Sequence, residues 1–273
     1  MVAVKRVPRE DVNEANFREE AEAHRDVSNH PNIVGLKGVF SDDDSWYMVM
    51  ELAAGGELYD RLTMAGVYLD DEEVCSVLRE AADALAHMHD RGIVHGDIKP
   101  ENILLTTPVV GASGISEETP SEPAPAALLH RPIRDDTEQK LGGGLGRVLL
   151  ADFGSSFRLT GPHGAGKPTV KAYTAAYSAP EVVHNGNAVD EKVDVWSLGV
   201  IAYVMCKGHH PFDPMSEASD DEIVEIVATA DPDWDGLEPQ AAQLIRQMLS
   251  KDPAERPSAR EVLQNAWLQL PSK

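Results

Sequence analysis

Four polar residues at short intervals carry the strongest chemical signal in the chain, namely Asp97, Lys99, Asn102 and Asp152. The first three share one short loop in which alternate residues face the same side, and Asp152 follows an apolar, strand-like run. Asp97 can accept or orient the proton of a hydroxyl, and Lys99 can stabilise charge that builds on a transferring phosphoryl group. Asn102 and Asp152 are hard oxygen ligands suited to Mg²⁺. The pattern therefore predicts metal-assisted phosphoryl transfer.

Two regions of different secondary structure must position these residues. Alternating β-branched residues predict a strand at 2–7, a charged helix follows at 12–28, and strands are expected at 33–40 and 46–51. From residue 57 onward the helical period dominates, with helices predicted at 57–64, 72–91, 193–206, 221–228, 239–249 and 259–265. The predicted fold class is α+β, with a small β-rich part followed by a large α-helical part.

Residues 106–147 interrupt this order. The segment is rich in Pro, Ser, Glu, Gly and Thr, so it cannot bury enough apolar surface to order itself, and we predict a disordered surface insertion. Ser116, Thr119 and Ser121 are phosphorylation candidates there, although an unmodified solvated loop is the default interpretation.

The composition limits the classes of partner and compartment. The 273 residues carry a formal net charge of -22, which repels nucleic acid and anionic membranes and favours basic partners, although solubility alone also explains such an excess. Cys75 and Cys206 lie in apolar helical patterns and are expected to be buried free thiols. The longest apolar run, residues 193–206, is too short to span a bilayer, and no secretory leader is visible. We therefore expect a cytoplasmic or nuclear protein.

The order of the motifs resembles the eukaryotic protein kinase family, of the serine/threonine type. The resemblance covers the chain except its insertion, and it implies a two-lobed fold with a partial N-lobe at 1–52 and a C-lobe at 53–270. It also implies protein substrates and ATP and Mg²⁺ as cofactors. The segments that carry it are His95-Gly96-Asp97-Ile98-Lys99-Pro100-Glu101-Asn102, Asp152-Phe153-Gly154, Tyr177-Ser178-Ala179-Pro180-Glu181 and Asp194-Val195-Trp196-Ser197-Leu198-Gly199.

The same resemblance implies a nucleotide site. Lys5 is expected to hold the α- and β-phosphates and to pair with Glu20, although Glu19 and Glu22 share its charged helical face. Catalytic roles go to Asp97, Lys99, Asn102 and Asp152, and metal binding to Asn102 and Asp152. The residues expected to bind ATP are Lys5, Glu20, Ala3, Met50, Glu51, Ala53, Glu57 and Leu104.

Several further residues have structural interpretations within the resemblance. Asp194 is expected to brace the catalytic loop from a buried helix. Arg256 is expected to pair with Glu181. His95 is interpreted as a core residue that packs near Phe153.

Within the serine/threonine kinases, residues 55–60 and 99–102 resemble the calcium/calmodulin-dependent and plant calcium-dependent groups. Acidic residues matching Glu57 and Glu101 favour a basic residue upstream of the phosphorylated hydroxyl in those relatives, because arginine donates two hydrogen bonds to one carboxylate. Glu57 alternatively serves only the ATP ribose. No EF-hand and no basic amphipathic tail follows residue 270, so we expect no calcium or calmodulin site within the chain.

Departures from the family pattern keep two functions open. Gly96 replaces an arginine that normally receives an activation-loop phosphate, so phosphate at Thr169 or Thr174 would lack its partner and activity is expected not to depend on it. His24 stands at a normally apolar helical position. Only four residues precede Lys5, so the glycine-rich phosphate loop is absent, and we expect upstream sequence to be missing. The alternatives are an active kinase domain and a pseudokinase-like scaffold.

Overall fold

A three-stranded antiparallel sheet occupies the N-terminal part of the computed structural model, which describes residues 1–64, 69–108, 144–159, 174–185, 189–215 and 217–269. The strands are β1 (Val2–Pro8), β2 (Leu36–Ser41) and β3 (Ser45–Glu51), in the order β1-β3-β2. In β1 the inward residues include Lys5, whose Cα partner in β3 is Met48. The predicted strands are confirmed, but β2 begins three residues later than the prediction.

Helix α1 (Glu14–Val27) packs against this sheet. Its start is capped by the Asn13 side chain, which accepts a hydrogen bond from Asn16 N at 2.9 Å. Phe17 on α1 stacks on Trp46 of β3 with ring centroids 5.2 Å apart. Together with Val7, Ala21 and Met48 these rings form a separate small core. This core fixes the helix beside Lys5.

The remaining described residues form a larger, mainly helical part. It contains short strand pairs, β4 (Ile93–Val94) with β7 (Phe157–Arg158) and β5 (Ile103–Leu105) with β6 (Val148–Leu150). Its helices are α2 (Leu58–Thr63), α3 (Asp71–His89), α4 (Pro180–Asn185), α5 (Lys192–Lys207), α6 (Asp220–Thr229), α7 (Pro239–Met248) and α8 (Ala259–Leu263). All six helices predicted after residue 57 are confirmed, with boundaries shifted by one or two residues.

Helix α5 is the centre of the helical core. Thirteen of its residues are buried, from Val193 through Met205, and it ends at Gly208, whose φ of 75° suits a residue without Cβ. Cys75 on α3 is buried as predicted, and burial raises the pKa of its thiol to about 11. Cys206 on α5 is partly exposed, so the expectation of burial was wrong there. Within the described ranges, no helix combines the length and hydrophobicity needed to cross a bilayer.

Residues 32–34 tie the sheet region to the helical part. Leu150 N donates to Asn32 O and Val34 N donates to Leu150 O, both at 2.9 Å. The predicted strand at 33–40 therefore begins too early, because Ile33 pairs with β6 in a parallel bridge instead of pairing with β3. Glu80 on α3 supports this tie by accepting from Asn32 Nδ2 at 2.7 Å and from Val148 N at 2.8 Å.

The two ends of the predicted insertion are ordered. Thr106 N donates to Arg147 O at 3.0 Å, and Leu145 is buried in the helical core. Residues 109–143, including Ser116, Thr119 and Ser121, lie outside the described residues, so the predicted disorder stays a prediction. The predicted boundaries at 1–52 and 53–270 also stay predictions.

A buried ion pair joins two segments of the helical part. Nη1 and Nη2 of Arg256 donate to the Glu181 carboxylate, at 2.6 and 2.8 Å, and the Arg256 side chain is fully buried. Arg256 Nε also donates to Ser250 O at 2.8 Å. This bidentate contact fixes the start of α4 against the segment that follows α7, as the sequence predicts.

We expect Arg256→Ala to destabilise the fold by about 3–5 kcal/mol, because it leaves the Glu181 carboxylate without its partner. Urea unfolding followed by circular dichroism measures this change. Arg260→Ala is the matched control, since Arg260 pairs with Asp90 at the surface and its loss leaves stability nearly unchanged. Equal effects of the two substitutions would contradict the importance of the buried pair.

Candidate active site

The buried carboxylate of Asp194 holds the loop that carries the predicted catalytic residues. Its Oδ2 accepts from His95 N at 2.9 Å and from His89 Nε2 at 2.8 Å, and its Oδ1 accepts from Gly96 N at 2.9 Å. Burial opposes the charged form, but the hydrogen bond and charge of His89 keep the pKa of Asp194 below its ordinary value. The loop therefore has a fixed path immediately before Asp97.

Three of the predicted catalytic residues form one cluster with Thr174. Lys99 Nζ lies 2.8 Å from Asp97 Oδ2, and the Thr174 hydroxyl donates to Asp97 Oδ1 at 3.0 Å. Lys99 Nζ also donates to Thr174 Oγ1 at 3.2 Å. Asn102 Nδ2 donates to Asp97 O at 2.7 Å and to Asp97 Oδ2 at 3.2 Å. These contacts hold Asp97 beside a cation and a hydroxyl.

The Lys5 amine joins the sheet to Asp152. It lies 2.7 Å from Glu20 Oε1 and 2.8 Å from Asp152 Oδ1, so β1, α1 and the segment after β6 meet at one charge. Glu20, not its neighbours on the charged helical face, makes this contact. Asp152 has a φ of 59° and is the one non-glycine residue with positive φ in the described part of the chain. Such a backbone conformation is costly and is typical of functional sites.

The three charges shift one another's pKa values. Burial favours the neutral amine of Lys5, but attraction by Asp152 and Glu20 raises its pKa above the ordinary value. Burial also works against ionisation of Asp152, yet the charge and hydrogen bond of Lys5 lower the pKa of that carboxyl. Burial raises the pKa of Glu20 over the opposing attraction of Lys5. Asp152 is consequently the carboxylate best prepared to remain charged, and half of its side chain is exposed to the cleft.

The donor set fits a Mg²⁺ ion that is shared with a phosphate-bearing substrate. The Asn102 amide uses its nitrogen for Asp97, which leaves its oxygen for a metal, and the second predicted ligand is the Asp152 carboxylate. Ala151 N donates to Asn102 O at 2.9 Å, so the two ligand segments lie side by side. The described residues contain no cluster of three or more His, Cys, Asp or Glu side chains suited to a metal. Two protein ligands completed by phosphates and water are a common arrangement for Mg²⁺.

Four of the residues expected to bind ATP fall in two pairs. Ala3 on β1 is the Cα partner of Met50 on β3, and Leu104 on β5 forms an isolated bridge with Glu57. Ala3, Met50, Glu57 and Leu104 are all half-buried. The first pair lies in the N-terminal sheet and the second pair includes β5 of the helical part.

The end of β3 and the segment that follows it contain the two remaining predicted residues, Glu51 and Ala53. Glu51 N donates to Gly35 O at 2.8 Å, and the Glu51 carboxylate accepts from Arg147 Nη2 at 3.1 Å. Ala53 N–H finds no backbone acceptor among the described residues. It is therefore a donor that a base edge can use.

A stack of rings connects α1 to the catalytic loop. His24 stacks on Phe153 with ring centroids 4.4 Å apart, and Phe153 lies 5.4 Å from the His95 ring. His24 Nε2 donates to Val34 O at 2.6 Å, and burial lowers its pKa. A neutral histidine thus fills the position where an apolar residue was expected.

Sequence reasoning missed some of these interactions. Thr174 was considered only as a possible phosphate acceptor, whereas its hydroxyl lies between Asp97 and Lys99. Sequence reasoning gave no role to His89, whose hydrogen bond to Asp194 joins residues 105 positions apart. Their residue types alone carry no signal for such long-range contacts. Thr169 lies outside the described residues.

Comparison with known proteins decides the family. A model of the protein kinase domain matches residues 1–268. The chain belongs to the protein kinase family. This confirms the family resemblance and the two-lobed α+β fold that the sequence predicts.

The relatives of this kinase chain include several named serine/threonine kinases. Serine/threonine-protein kinase PKZ1 of Phytophthora infestans is 34% identical over 248 residues, which are 89% of this chain and 56% of that protein. Calcium/calmodulin-dependent protein kinase type 1B of Rattus norvegicus is 30% identical over 275 residues, which are 98% of this chain and 67% of that protein. Ribosomal protein S6 kinase 2 alpha of Xenopus laevis is 31% identical over 255 residues, and the match covers 92% of this chain but 30% of that protein.

Gly96 offers a test of how the kinase loop is built. Its φ is 79°, and a Cβ placed there would lie 2.8 Å from Ser155 O. Gly92 has a similar φ of 67°, but its nearest atom would lie at 3.9 Å. The two glycines therefore share the backbone requirement but differ in available space.

We expect Gly92→Ala to cost about 1–2 kcal/mol from the left-handed backbone alone. Gly96→Ala is expected to cost roughly 1–3 kcal/mol more, because the Ser155 carbonyl must move. Chemical denaturation of both variants measures the difference. Equal destabilisation would show that the loop has more room beside Gly96 than the structure indicates.

Proposed function

We propose that the chain is the catalytic part of a serine/threonine protein kinase, which transfers the ATP γ-phosphoryl group to Ser or Thr hydroxyls of protein substrates. The observation that carries this proposal is the joint presence of the Lys5–Glu20–Asp152 contact and the Asp97–Lys99–Asn102 cluster. A scaffold has no chemical need for all of these groups in one arrangement.

Each side chain has a proposed task in this reaction. Asp97 orients the substrate hydroxyl and accepts its proton, and Lys99 stabilises the charge on the transferring group. Lys5, held by Glu20, binds the α- and β-phosphates, and Ala53 N–H meets adenine between Ala3 and Leu104. When bound, Mg²⁺ neutralises the phosphate charge. Asn102 and Asp152 are its proposed ligands.

The peptide side of the cleft is acidic. Burial, together with the nearby Asp60 and Glu101 carboxylates, raises the pKa of Glu57, and burial likewise raises the pKa of Glu101. Glu101 Oε2 and Tyr59 Oη are buried and have no hydrogen-bond partner in the described part of the chain. A guanidinium supplies several donors to such acceptors, so a preference for arginine upstream of the target hydroxyl is part of the proposal.

The proposal also covers the regulation of the activity and the cellular location of the protein. Gly96 removes the usual receiver for an activation-loop phosphate, and Thr174 already contacts Asp97 and Lys99. Activity independent of phosphorylation at Thr169 or Thr174 is therefore proposed. We also propose a cytoplasmic or nuclear location and no direct calcium or calmodulin control through these residues.

We expect Asp97→Asn to reduce the rate of peptide phosphorylation by about 10²–10⁴-fold, because it removes the proton acceptor while it preserves shape. Mg-ATP binding, measured by titration calorimetry, is expected to remain within about threefold, since Asp97 is not a proposed metal ligand. Phosphatase treatment of the unsubstituted chain should leave its rate unchanged.

The control for this test is Asp90→Asn, which alters an exposed aspartate far from the cluster. Both the chain and a form extended upstream are assayed. Failure of both forms to bind Mg-ATP would favour the scaffold alternative instead.

We expect Glu101→Gln and Glu57→Gln each to raise KM for an arginine-containing peptide by about tenfold, a loss of roughly 1.4 kcal/mol. The kcat is expected to change little, and a peptide with alanine at that position should be unaffected. Glu72→Gln, on the exposed start of α3, serves as the control. An equal rise in KM for both peptides would show that these carboxylates do not recognise the arginine of the substrate.

A further inference from the structure

A lysine outside the proposed catalytic site has an unusual environment. Lys251 follows α7 and lines an open groove together with Asp231, Trp234, Arg246 and Glu255. Its side chain is half-buried, and part of the residue lines this groove. The proposed phosphoryl transfer makes no use of this residue.

Aromatic rings and one carbonyl surround the Lys251 amine. Nζ donates to Val227 O at 2.6 Å and lies 4.1 Å from the centroid of the Phe212 ring and 5.0 Å from that of Trp196. No carboxylate lies within ion-pair distance of Nζ in the residues that the structure describes. The rings attract a cation but replace only part of the water that it loses.

The neighbouring charges compete at this amine. The Arg256 guanidinium lies 4.9 Å from the centroid of the same Trp196 ring, and its Nη2 donates to Lys251 O at 3.4 Å. Asp231 attracts the ammonium from the groove, while Arg246 lies over the Trp234 ring and Glu255 accepts from the Ser250 hydroxyl. Burial is the largest effect. It lowers the pKa of Lys251 to about 8 against the attraction of Asp231, and Arg256 lowers it further.

Lys251 consequently has more neutral amine near neutral pH than an ordinary lysine, because burial lowers its pKa to about 8. Only the neutral amine has a lone pair for attack on a carbonyl carbon.

We propose that Lys251 is a modification site that accepts an acyl group from an acyl thioester. Nζ loses a proton and attacks the thioester carbonyl carbon, the N–C bond forms, and the C–S bond breaks. The departing thiolate takes up a proton, so the products are an amide and a thiol. The amide carries no charge.

Packed rings connect Lys251 to residues 174–178, which we term the peptide platform because Thr174 in this segment contacts the proposed catalytic Asp97. Phe212 stacks on Trp196 with centroids 5.5 Å apart and lies 6.0 Å from His210. His210 Nε2 donates to Ala176 O at 2.7 Å, immediately before Tyr177. We infer that loss of the Lys251 charge loosens this chain of contacts and weakens peptide binding, a step that rests on the proposed kinase function.

The chemical part of the proposal is tested by limited acetylation with a small acetyl thioester. Lys207 is a matched internal control, because its half-buried amine also donates to a carbonyl, Asp235 O at 2.7 Å, but has a carboxylate partner, Asp233, at 2.9 Å. Mass spectrometry of peptides follows both residues and the exposed Lys37 from pH 6.5 to 9.5, without need of kinase activity.

We expect Lys251 to be acetylated at least about tenfold faster than Lys207 at pH 7.5, with a rate that levels off above about pH 8.5. Unfolding in urea should abolish the difference. A Lys251 rate no higher than those of Lys207 and Lys37, or one still rising at pH 9.5, overturns the assignment.

The coupling to the platform is tested separately by substitution. Lys251→Gln mimics the acylated, uncharged state and is expected to raise peptide KM about threefold or more, whereas Lys251→Arg retains the charge and leaves it unchanged. Equal KM values for the two variants overturn the coupling but leave the labelling result standing. Absence of kinase activity in every form, with selective labelling intact, counts against the proposed function alone.

Discussion

The arrangement of the cleft depends on one buried charge, the carboxylate of Asp194. It accepts hydrogen bonds from two successive backbone amides, those of His95 and Gly96, and from the His89 ring. A buried carboxylate without such donors is costly in free energy. The hydrogen bonds to Asp194 therefore hold the loop against α5. Because α5 is itself enclosed by the helical core, the position of Asp97 depends on the most completely buried of the described helices.

The other half of the cleft, formed by the sheet and α1, is held by the packing of apolar side chains and not by a buried charge. The small core of the sheet orients α1, α1 presents Glu20 to Lys5, and Lys5 reaches Asp152. The ring of His24 adds a second connection, since it stacks on Phe153 beside that carboxylate. Each link is weak by comparison with the Asp194 contacts, because Lys5 and Asp152 are partly open to solvent. The two halves therefore differ in how firmly they are held.

Much of this fold was predictable from sequence because its signals are local. Periodicity located the helices and strands, and the resemblance supplied the order of the motifs and the Arg256–Glu181 pair. Sequence could not reveal that residues 32–34 pair with β6, because the chain places 116 positions between Asn32 and Val148. The hydroxyl of Thr174 beside Asp97 was likewise invisible, since a threonine in a loop carries no mark of its distant partner.

The pairing of residues 32–34 with β6 has a mechanical consequence. The segment shares its peptide groups between two partners, for Val34 N donates to Leu150 O while Val34 O accepts from His24. The C-terminal end of α1 is thereby bound to the helical part, which the sheet contacts through the Lys5–Asp152 ion pair and the Glu51–Arg147 hydrogen bond. Movement of the C-terminal end of α1 relative to β6 would break these hydrogen bonds. Opening of the cleft is therefore expected to displace β1 and the start of α1 more than Val34.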